Sequence, residues 1–226
     1  MIKEVKQLAK QKGFIINEKP MQLNIWGFRA NTTTPNSFDD EMHVFTNISL
    51  TKRKKWAYYV FKCTTDPGTF WLKNPMNAQG TAILNAGQYI DSHAIGLHRG
   101  KYKALVQIGL VSVTRDYNRD SVLDFNNGKI QKGRFGINIH RASKTGDTFH
   151  VDKYSAGCQV FKNGKDFAFF MQLCELHKQH HGNKFTYTLV DKRMEHRSKL
   201  KAVAIGGALI GLLIGGYFLI TTEKDG

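Results

Sequence analysis

An alternating stretch that ends in a histidine constrains this chain more than any other feature. In residues 135–140, apolar side chains alternate with small or polar ones: Phe135, Ile137 and Ile139 against Gly136, Asn138 and His140. A period of two is typical of a strand with one buried face, and it puts His140 on the face opposite the core. The following loop is rich in turn-forming residues, so it can return Cys158 to the side of His140. A cysteine beside a histidine is the pairing that produces a thiolate nucleophile.

The rest of the chain predicts many short strands and few helices. Strands are expected at residues 21–29, 42–46, 56–65, 69–72, 81–84, 100–115 and 185–190, and helices at residues 2–12 and 166–181. Asp66-Pro67-Gly68 separates two of these strands and predicts a hairpin turn. This pattern favours a mainly β fold, a barrel or sandwich with one or two packed helices.

Charge and cysteine content narrow the possible partners. The chain has 33 Lys and Arg against 18 Asp and Glu, a net charge of +15, which attracts nucleic acid, anionic membranes or cell-wall polymers. The sequence has no zinc-finger spacing, no aromatic RNP-type strand and no convincing helix-turn-helix, so we expect no nucleic-acid partner. The three cysteines, Cys63, Cys158 and Cys174, do not suggest a disulfide framework.

The end of the chain differs in character from the rest. Residues 202–220 carry no charge and are long enough to cross a hydrocarbon core of about 30 Å, which predicts a single transmembrane helix. Gly207, Gly211 and Gly215 recur at every fourth position, a pattern that lets two such helices approach closely and so suggests a homo-oligomer. The flank at residues 194–201 is basic and the tail at residues 221–226 is nearly neutral, so the positive-inside rule predicts a cytoplasmic domain. The absence of a visible export signal at the N-terminus agrees with that prediction.

The region around His140 and Cys158 resembles the catalytic core of the L,D-transpeptidase (YkuD-type) family. Members carry a histidine, a spacer, and then Ser/Thr-His-Gly-Cys, and here His140 is followed in that register by Ser155-Ala156-Gly157-Cys158. The resemblance covers residues 54–162, in which residues 64–70 resemble the hairpin that precedes the family's core. The Ser-x-Gly-Cys-Gln form is closest to a variant subgroup found in phage-associated proteins.

The resemblance implies roles for individual residues. Cys158 would be the nucleophile and His140 its base, and the backbone N–H groups of Gly157 and Cys158 would form an oxyanion hole. Supporting or substrate-binding roles would fall to Asn138, Arg141, Ser155, Gln159 and His98. The residue before the glycine is Ala156 instead of the family's histidine. Arg141 follows His140 in the sequence. Its charge can bind a substrate carboxylate or remain exposed to solvent.

No metal or other cofactor is expected. Asp91, His93 and His98 lie close together in the sequence and can be read as metal ligands. No additional ligand is obvious, so we interpret the histidines as residues that line or flank the cleft.

These observations predict a membrane-anchored cysteine acyl-transfer enzyme that acts on peptidoglycan stem peptides through a Cys158 thioester. An amine acceptor gives cross-linking and water gives hydrolysis, so an L,D-transpeptidase-like transferase and a phage-type peptidoglycan endopeptidase both stay open. A non-catalytic wall-binding or virion structural module is a third hypothesis, which Ala156 favours. Wall substrates lie outside the cell while the charge rule places the domain inside, so the side of the membrane is open as well.

We expect five segments along the chain. Residues 1–50 form a helix and strands that pack on the core, and residues 51–193 form the L,D-transpeptidase-like catalytic domain. A basic juxtamembrane linker at residues 194–201, the span at residues 202–220 and a short tail at residues 221–226 complete the chain.

Overall fold

The protein is mainly β, as the sequence predicted, and eight of its strands close into a ring. The computed structural model describes residues 1–32, 34–125 and 128–193, together with the backbone of residues 219–222. The described helices are α1 (Ile2–Lys12), α2 (Thr69–Lys73) and α3 (Gly164–His181). The described strands are β1 (Asn24–Arg29), β2 (Asp40–Asn47), β3 (Lys55–Thr64), β4 (Thr81–Leu84), β5 (Gly87–His98), β6 (Tyr102–Gln107), β7 (Val111–Asp116), β8 (Ile130–Gly133), β9 (Ile139–Arg141), β10 (Gln159–Phe161), β11 (Phe185–Asp191) and β12 (Leu219–Thr222).

The ring follows the order β10-β9-β6-β5-β11-β1-β2-β3, and antiparallel pairing of β3 with β10 closes it. Closure satisfies the backbone hydrogen-bonding groups that an open sheet would leave at its two edges. Strand β12 pairs with the first residues of β3, and β4, β7 and β8 form a separate three-stranded sheet. The N-terminal fifty residues therefore contribute two strands, β1 and β2, to the same ring as β3.

The core fills the inside of the ring and continues onto α3. Inward side chains from most ring strands form one cluster, among them Ile25, Val44, Leu105, Ile139, Phe161 and Leu189. The predicted face of α3 joins the same cluster through Phe167, Phe170, Met171 and Cys174. Asn163 caps the start of α3, because its side chain accepts hydrogen bonds from the amides of Lys165 and Asp166. Helix α1 packs on the outside of the ring against Trp26 and Trp56.

The expected hairpin at Asp66-Pro67-Gly68 was wrong, because residues 69–73 form helix α2 instead of a return strand. Gly68 stands at the N-cap of α2, and its carbonyl accepts hydrogen bonds from the amides of Trp71 and Leu72. Leu72 is fully buried in a small cluster with Ile83 and Leu123. The short apolar run therefore packs as one helical turn, which periodicity over four residues cannot distinguish from a strand.

The expected strand at residues 100–115 divides into β6 and β7, which belong to different sheets. The amides of Ile108 and Gly109 both donate to the carbonyl of Ser92, which turns the chain out of the ring. The strand expected at residues 135–140 shrinks to β9 for a similar reason. The side-chain oxygen of Gln107 accepts the amides of Phe135 and Ile137, so these residues hydrogen-bond to a side chain in place of a neighbouring strand.

The predicted transmembrane segment falls almost wholly outside the described residues. The linker at residues 194–201 and the glycines Gly207, Gly211 and Gly215 lie outside them too. Of residues 202–220, only the backbone of Leu219 and Ile220 is described, and there the chain is a strand. No helix in the described part of the chain is long and apolar enough to cross a membrane.

A buried ion cluster ties the ends of three ring strands together. Arg29 ends β1 and is only 2% exposed; its Nε lies 2.7 Å from Asp66 Oδ1 and its Nη1 lies 3.5 Å from Asp191 Oδ2. Its Nη2 donates to the carbonyl oxygen of Thr65 at 3.0 Å. Because Gly68 donates its amide to the carbonyl of Ser155, the cluster also supports the segment that carries Cys158.

We expect the substitution Arg29→Met to lower the free energy of unfolding by about 3–5 kcal/mol, because it leaves buried carboxylates without a counter-charge. Urea denaturation of the purified protein measures this change. Lys101→Met, which removes an exposed lysine from the turn between β5 and β6, is the matched control and should change stability by less than about 0.5 kcal/mol. Equal stability of the Arg29→Met and Lys101→Met proteins would contradict the prediction.

Candidate active site

The parallel neighbours β9 and β10 bring the two predicted residues to the same side of the ring. Val160 lies opposite His140, and Cys158 stands just before β10. Ile139 and Phe161 point into the core, whereas His140 and Cys158 do not belong to that cluster. The predicted alternation is therefore confirmed, and the loop after β9 returns the cysteine to the histidine's side.

The Cys158 thiol is partly exposed and is held by backbone groups. Its Sγ donates to the carbonyl of Gly136 at 3.3 Å and accepts the amide of Asn138 at 3.5 Å. Desolvation raises the pKa of this thiol, although the amide of Asn138 and the charge of Arg99 oppose the shift. The resting group is therefore a thiol. Cys63 and Cys174 are fully buried in the core, and burial raises the pKa of each.

His140 is a neutral histidine with one free nitrogen. Its Nδ1–H donates to the carbonyl of Arg141 at 2.9 Å, which leaves Nε2 as the lone-pair nitrogen. Nε2 has no hydrogen-bond partner among the described residues. Desolvation first, and then the neighbouring His98, lower the pKa of His140 to about 3. A neutral imidazole with a free Nε2 has the lone pair that a general base needs, and a pKa of about 3 makes it a weak base in the resting protein.

His98 stacks on His140 but is in the opposite tautomer. The two rings lie 4.0 Å apart at 23°. The Oδ1 of Asn138 accepts the amide of Gln107 at 2.9 Å, so its Nδ2 must be the donor to His98 Nδ1 at 3.1 Å. A neutral His98 that accepts at Nδ1 carries its proton on Nε2. Of the two stacked histidines, only His140 therefore has a lone-pair nitrogen without a hydrogen-bond partner among the described residues.

Tyr102 is a site residue that the sequence analysis missed. Its hydroxyl donates to the carbonyl of Arg141 at 3.3 Å and lies 3.4 Å from His140 Nδ1. The Arg141 guanidinium lies 4.4 Å above the Tyr102 ring, so this charge stacks on an aromatic face. Arg99-Gly100 is the sequence signal that could have indicated Tyr102. Both residues have positive φ in the turn of the β5–β6 hairpin, and this hairpin places Tyr102 opposite His98.

One of the two amides predicted to form the oxyanion hole already donates a hydrogen bond within the protein. The amide of Gly157 donates to Ser155 Oγ at 3.2 Å, and that hydroxyl donates to the carbonyl of Cys158 at 2.8 Å. The amide of Cys158 itself donates no hydrogen bond to another described residue. Gly157 has φ +116°, and a Cβ there would lie 2.2 Å from the carbonyl oxygen of Ala82, so the turn requires glycine. One backbone donor, that of Cys158, is thus available for a developing negative charge.

Gln159 supports this loop from inside the ring and does not face a substrate. It is fully buried; its Nε2 donates to the carbonyl of Gly157 at 3.2 Å and its Oε1 accepts the hydroxyl of Tyr187 at 2.8 Å. Tyr187 reaches it across Gly27, where a Cβ would lie 2.0 Å from the tyrosine oxygen. The carbonyl of Gly157 belongs to the same peptide unit as the Cys158 amide, so Gln159 orients that donor.

Within the described residues, no group of three or more His, Cys, Asp or Glu side chains converges as metal ligands do. His93 and His98 do not act together. The ring of His93 is buried and bonds to Ser92 Oγ and the carbonyl of Ile137, whereas His98 faces His140.

A partly exposed thiol, a neutral imidazole with a free nitrogen and an unpartnered amide are the groups that nucleophilic acyl substitution requires. Comparison of the chain with protein-family models, curated proteins and solved structures finds no match.

The buried, neutral state of His140 predicts how stability depends on pH. The folded pKa lies near 3 and the unfolded value near 6.5, so the unfolded chain binds the extra proton between these values. Stability should therefore fall as pH drops from about 6.5 towards 3, and His140→Phe should remove up to about 1.4 kcal/mol per pH unit of this slope. Urea denaturation at a series of pH values measures it. An unchanged slope in His140→Phe, judged against the exposed control His150→Phe, would show that His140 is not held neutral.

Proposed function

We propose that this protein is a cysteine acyl-transfer enzyme that acts on peptidoglycan stem peptides, with Cys158 as nucleophile and His140 as base. One observation carries the proposal: a partly exposed thiol and a neutral imidazole with a free Nε2 occupy the same side of two neighbouring strands. The motif that resembles the L,D-transpeptidase core supports the choice of substrate. The net charge of +15 suits an anionic cell wall.

In the first half-reaction, Nε2 of His140 takes the Sγ proton as the sulfur attacks a peptide carbonyl carbon. The S–C bond forms and the carbonyl electrons move onto oxygen, where the amide of Cys158 stabilises them. When the carbonyl re-forms, the C–N bond breaks and the leaving amine receives the proton from the imidazolium. A Cys158 thioester is left behind.

In the second half-reaction, an acceptor amine or water attacks the thioester carbon and the S–C bond breaks. His140 takes the proton of the acceptor and returns one to sulfur. An amine gives a cross-link and water gives cleavage, so L,D-transpeptidase-like and endopeptidase activity share one machinery. Because the resting group is a thiol, the sulfur must lose its proton to His140 for the attack to take place.

The proposal includes a membrane anchor at residues 202–220. Wall substrates require the domain to reach the outer side of that membrane, whereas the basic flank at residues 194–201 favours the cytoplasmic side. A phage-encoded protein that gains access after membrane disruption satisfies both conditions.

A non-catalytic wall-binding or virion structural module is the second candidate. Three features of the site favour it: burial raises the pKa of the Cys158 thiol, Ser155 occupies the amide of Gly157, and Ala156 replaces the histidine of the family that the motif resembles. Such a module would bind the wall without forming a thioester.

Incubation of the full chain with purified sacculi separates these functions. We expect a mass adduct on Cys158 and new or released muropeptides, and we expect Cys158→Ala to abolish both. Cys174→Ala, which removes a buried cysteine from α3, is the matched control and should keep both. His140→Gln should slow product formation by about 10²–10⁴-fold, because it removes the base. Products from the Cys158→Ala protein, or wall binding by the wild type without an adduct, would reject acyl transfer.

A further inference from the structure

The loop between β7 and β8 gathers three carboxylates with no cation beside them. Asp116 ends β7, and Asp120 and Asp124 follow it in the loop. Among the described residues, no Lys, Arg or His lies within ion-pair distance of any of the three. The loop is therefore a local concentration of negative charge in a chain whose net charge is +15.

The Asp116 carboxylate is buried and lacks a partner at one oxygen. The residue is only 1% exposed; its Oδ2 accepts the amide of Asp124 at 3.1 Å, whereas Oδ1 is buried and has no hydrogen-bond partner among the described residues. Burial raises the pKa of Asp116 to about 6; the amide of Asp124 opposes the shift, and the charges of Asp124 and Asp120 add to it. Buried polar atoms without a partner are costly and rare, so Oδ1 points to a ligand on the side of the other two carboxylates.

The side-chain amide of Asn118 stands between those other two carboxylates. Its Nδ2 donates to Asp120 Oδ2 at 3.0 Å and to Asp124 Oδ2 at 2.7 Å. With the amide in this place, the three acidic side chains do not converge as metal ligands do. Rotation of the amide by about 180° exchanges Nδ2 for Oδ1 and so replaces two donors by one acceptor. The same residue can therefore hold the carboxylates together through its hydrogens or add its own oxygen to them.

The spacing of these residues follows the first nine positions of a calcium loop. In an EF-hand loop, side-chain oxygens at the first, third, fifth and ninth positions and a backbone carbonyl at the seventh surround the ion. Counted from Asp116, these positions are Asp116, Asn118, Asp120, Asp124 and, for the carbonyl, Val122.

Two further positions of the loop also behave as the pattern requires. The sixth is Ser121 in place of glycine, yet it has φ +74°, the conformation for which glycine is normally needed. The eighth, Leu123, is buried against Leu72 and Ile83 and fixes the loop to the body of the protein. The twelfth is Asn127 in place of glutamate; it lies outside the described residues and is not included in the site.

We propose that the β7–β8 loop binds one Ca²⁺ ion through the carboxylates of Asp116, Asp120 and Asp124, the amide oxygen of Asn118 and water. The ion takes the place of the amide hydrogens between Asp120 and Asp124, and it gives Asp116 Oδ1 a partner. The proposal does not depend on the acyl-transfer function. Ca²⁺ fits better than Mg²⁺, because it accepts about 6–8 oxygen ligands in irregular geometry, whereas Mg²⁺ demands a near-ideal octahedron.

The packing of the loop gives the ion a structural role. Leu72, which contacts Leu123, lies in α2, and Gly68 at the start of α2 donates its amide to the carbonyl of Ser155. The ring of Phe125, next to Asp124, lies 5.1 Å from the guanidinium of Arg29. Calcium bound in the loop therefore stabilises the surface on which α2 and the buried ion cluster rest.

The test measures Ca²⁺ binding to the full-length protein by isothermal titration calorimetry, after a chelating resin has removed metal. We expect one ion per chain with a Kd between about 10⁻⁵ and 10⁻³ M, because the loop lacks the glutamate of the tightest sites. A Ca²⁺ concentration of about 10 mM should raise the melting temperature. Asp116→Asn and Asp120→Asn should each weaken binding by at least about 10-fold. Asp91→Asn, which removes an exposed carboxylate from β5, is the matched control and should leave the Kd unchanged.

A thermal melt without calcium separates loss of the site from loss of the fold. Asp120 is exposed, and its replacement by asparagine relieves repulsion between carboxylates. The Asp120→Asn protein should therefore melt no lower than the wild type without calcium and should gain less when calcium is added. Absence of binding at millimolar Ca²⁺, or binding that neither Asp116→Asn nor Asp120→Asn weakens, would overturn the proposal. Tighter binding of Mg²⁺ than of Ca²⁺ would overturn the assignment of the ion.

Discussion

The short antiparallel pairing of β3 with β10 is the contact on which the rest of the structure depends. It places Thr64 opposite Val160 and Cys63 opposite Phe161, and it closes the ring. Strand β10 has only three residues, so its position is defined by its two neighbours, β3 on one side and β9 on the other. The same pairing presents Cys158 immediately before β10 and sets the Asp66–Gly68 segment, with its hydrogen bond to Ser155, against the cysteine loop. Fold closure and the candidate nucleophile thus share one small piece of sheet.

Much of the fold follows from periodicity. Helices α1 and α3, most of the strands, and the position of His140 opposite the core were predictable, because each depends on local alternation and nearby end signals. Three of the errors have a common cause. Residues 69–73, 108–109 and 135–138 take their conformation from distant partners, namely a buried cluster around Leu72, the carbonyl of Ser92 and the side chain of Gln107. A local pattern holds no information about such contacts.

The candidate site, too, was predictable from the sequence only in part. Sequence spacing pointed to His140 and Cys158 as a pair, but the tautomers that distinguish His140 from His98 depend on hydrogen bonds to Arg141 and Asn138. The structure also shows the surroundings of two residues that differ from the resembled motif. Gln159 follows the cysteine and reaches inward to Tyr187, while Ala156 borders a cavity lined in part by Arg115.

Asn138 makes the parts of the site interdependent. Its amide bonds to the Cys158 sulfur, its carbonyl accepts the amide of Gln159, and its side chain joins Gln107 to His98. One residue therefore holds the Cys158 thiol, fixes the proton of His98 on Nε2 and links β10 to its neighbour β9. During divergence, a change of the Asn138 side chain would remove the link between Gln107 and His98 and leave its two backbone hydrogen bonds in place, whereas Ala156 or Arg141 can vary without breaking that link. The site can therefore alter what it recognises far more freely than it can alter how its reactive groups are held.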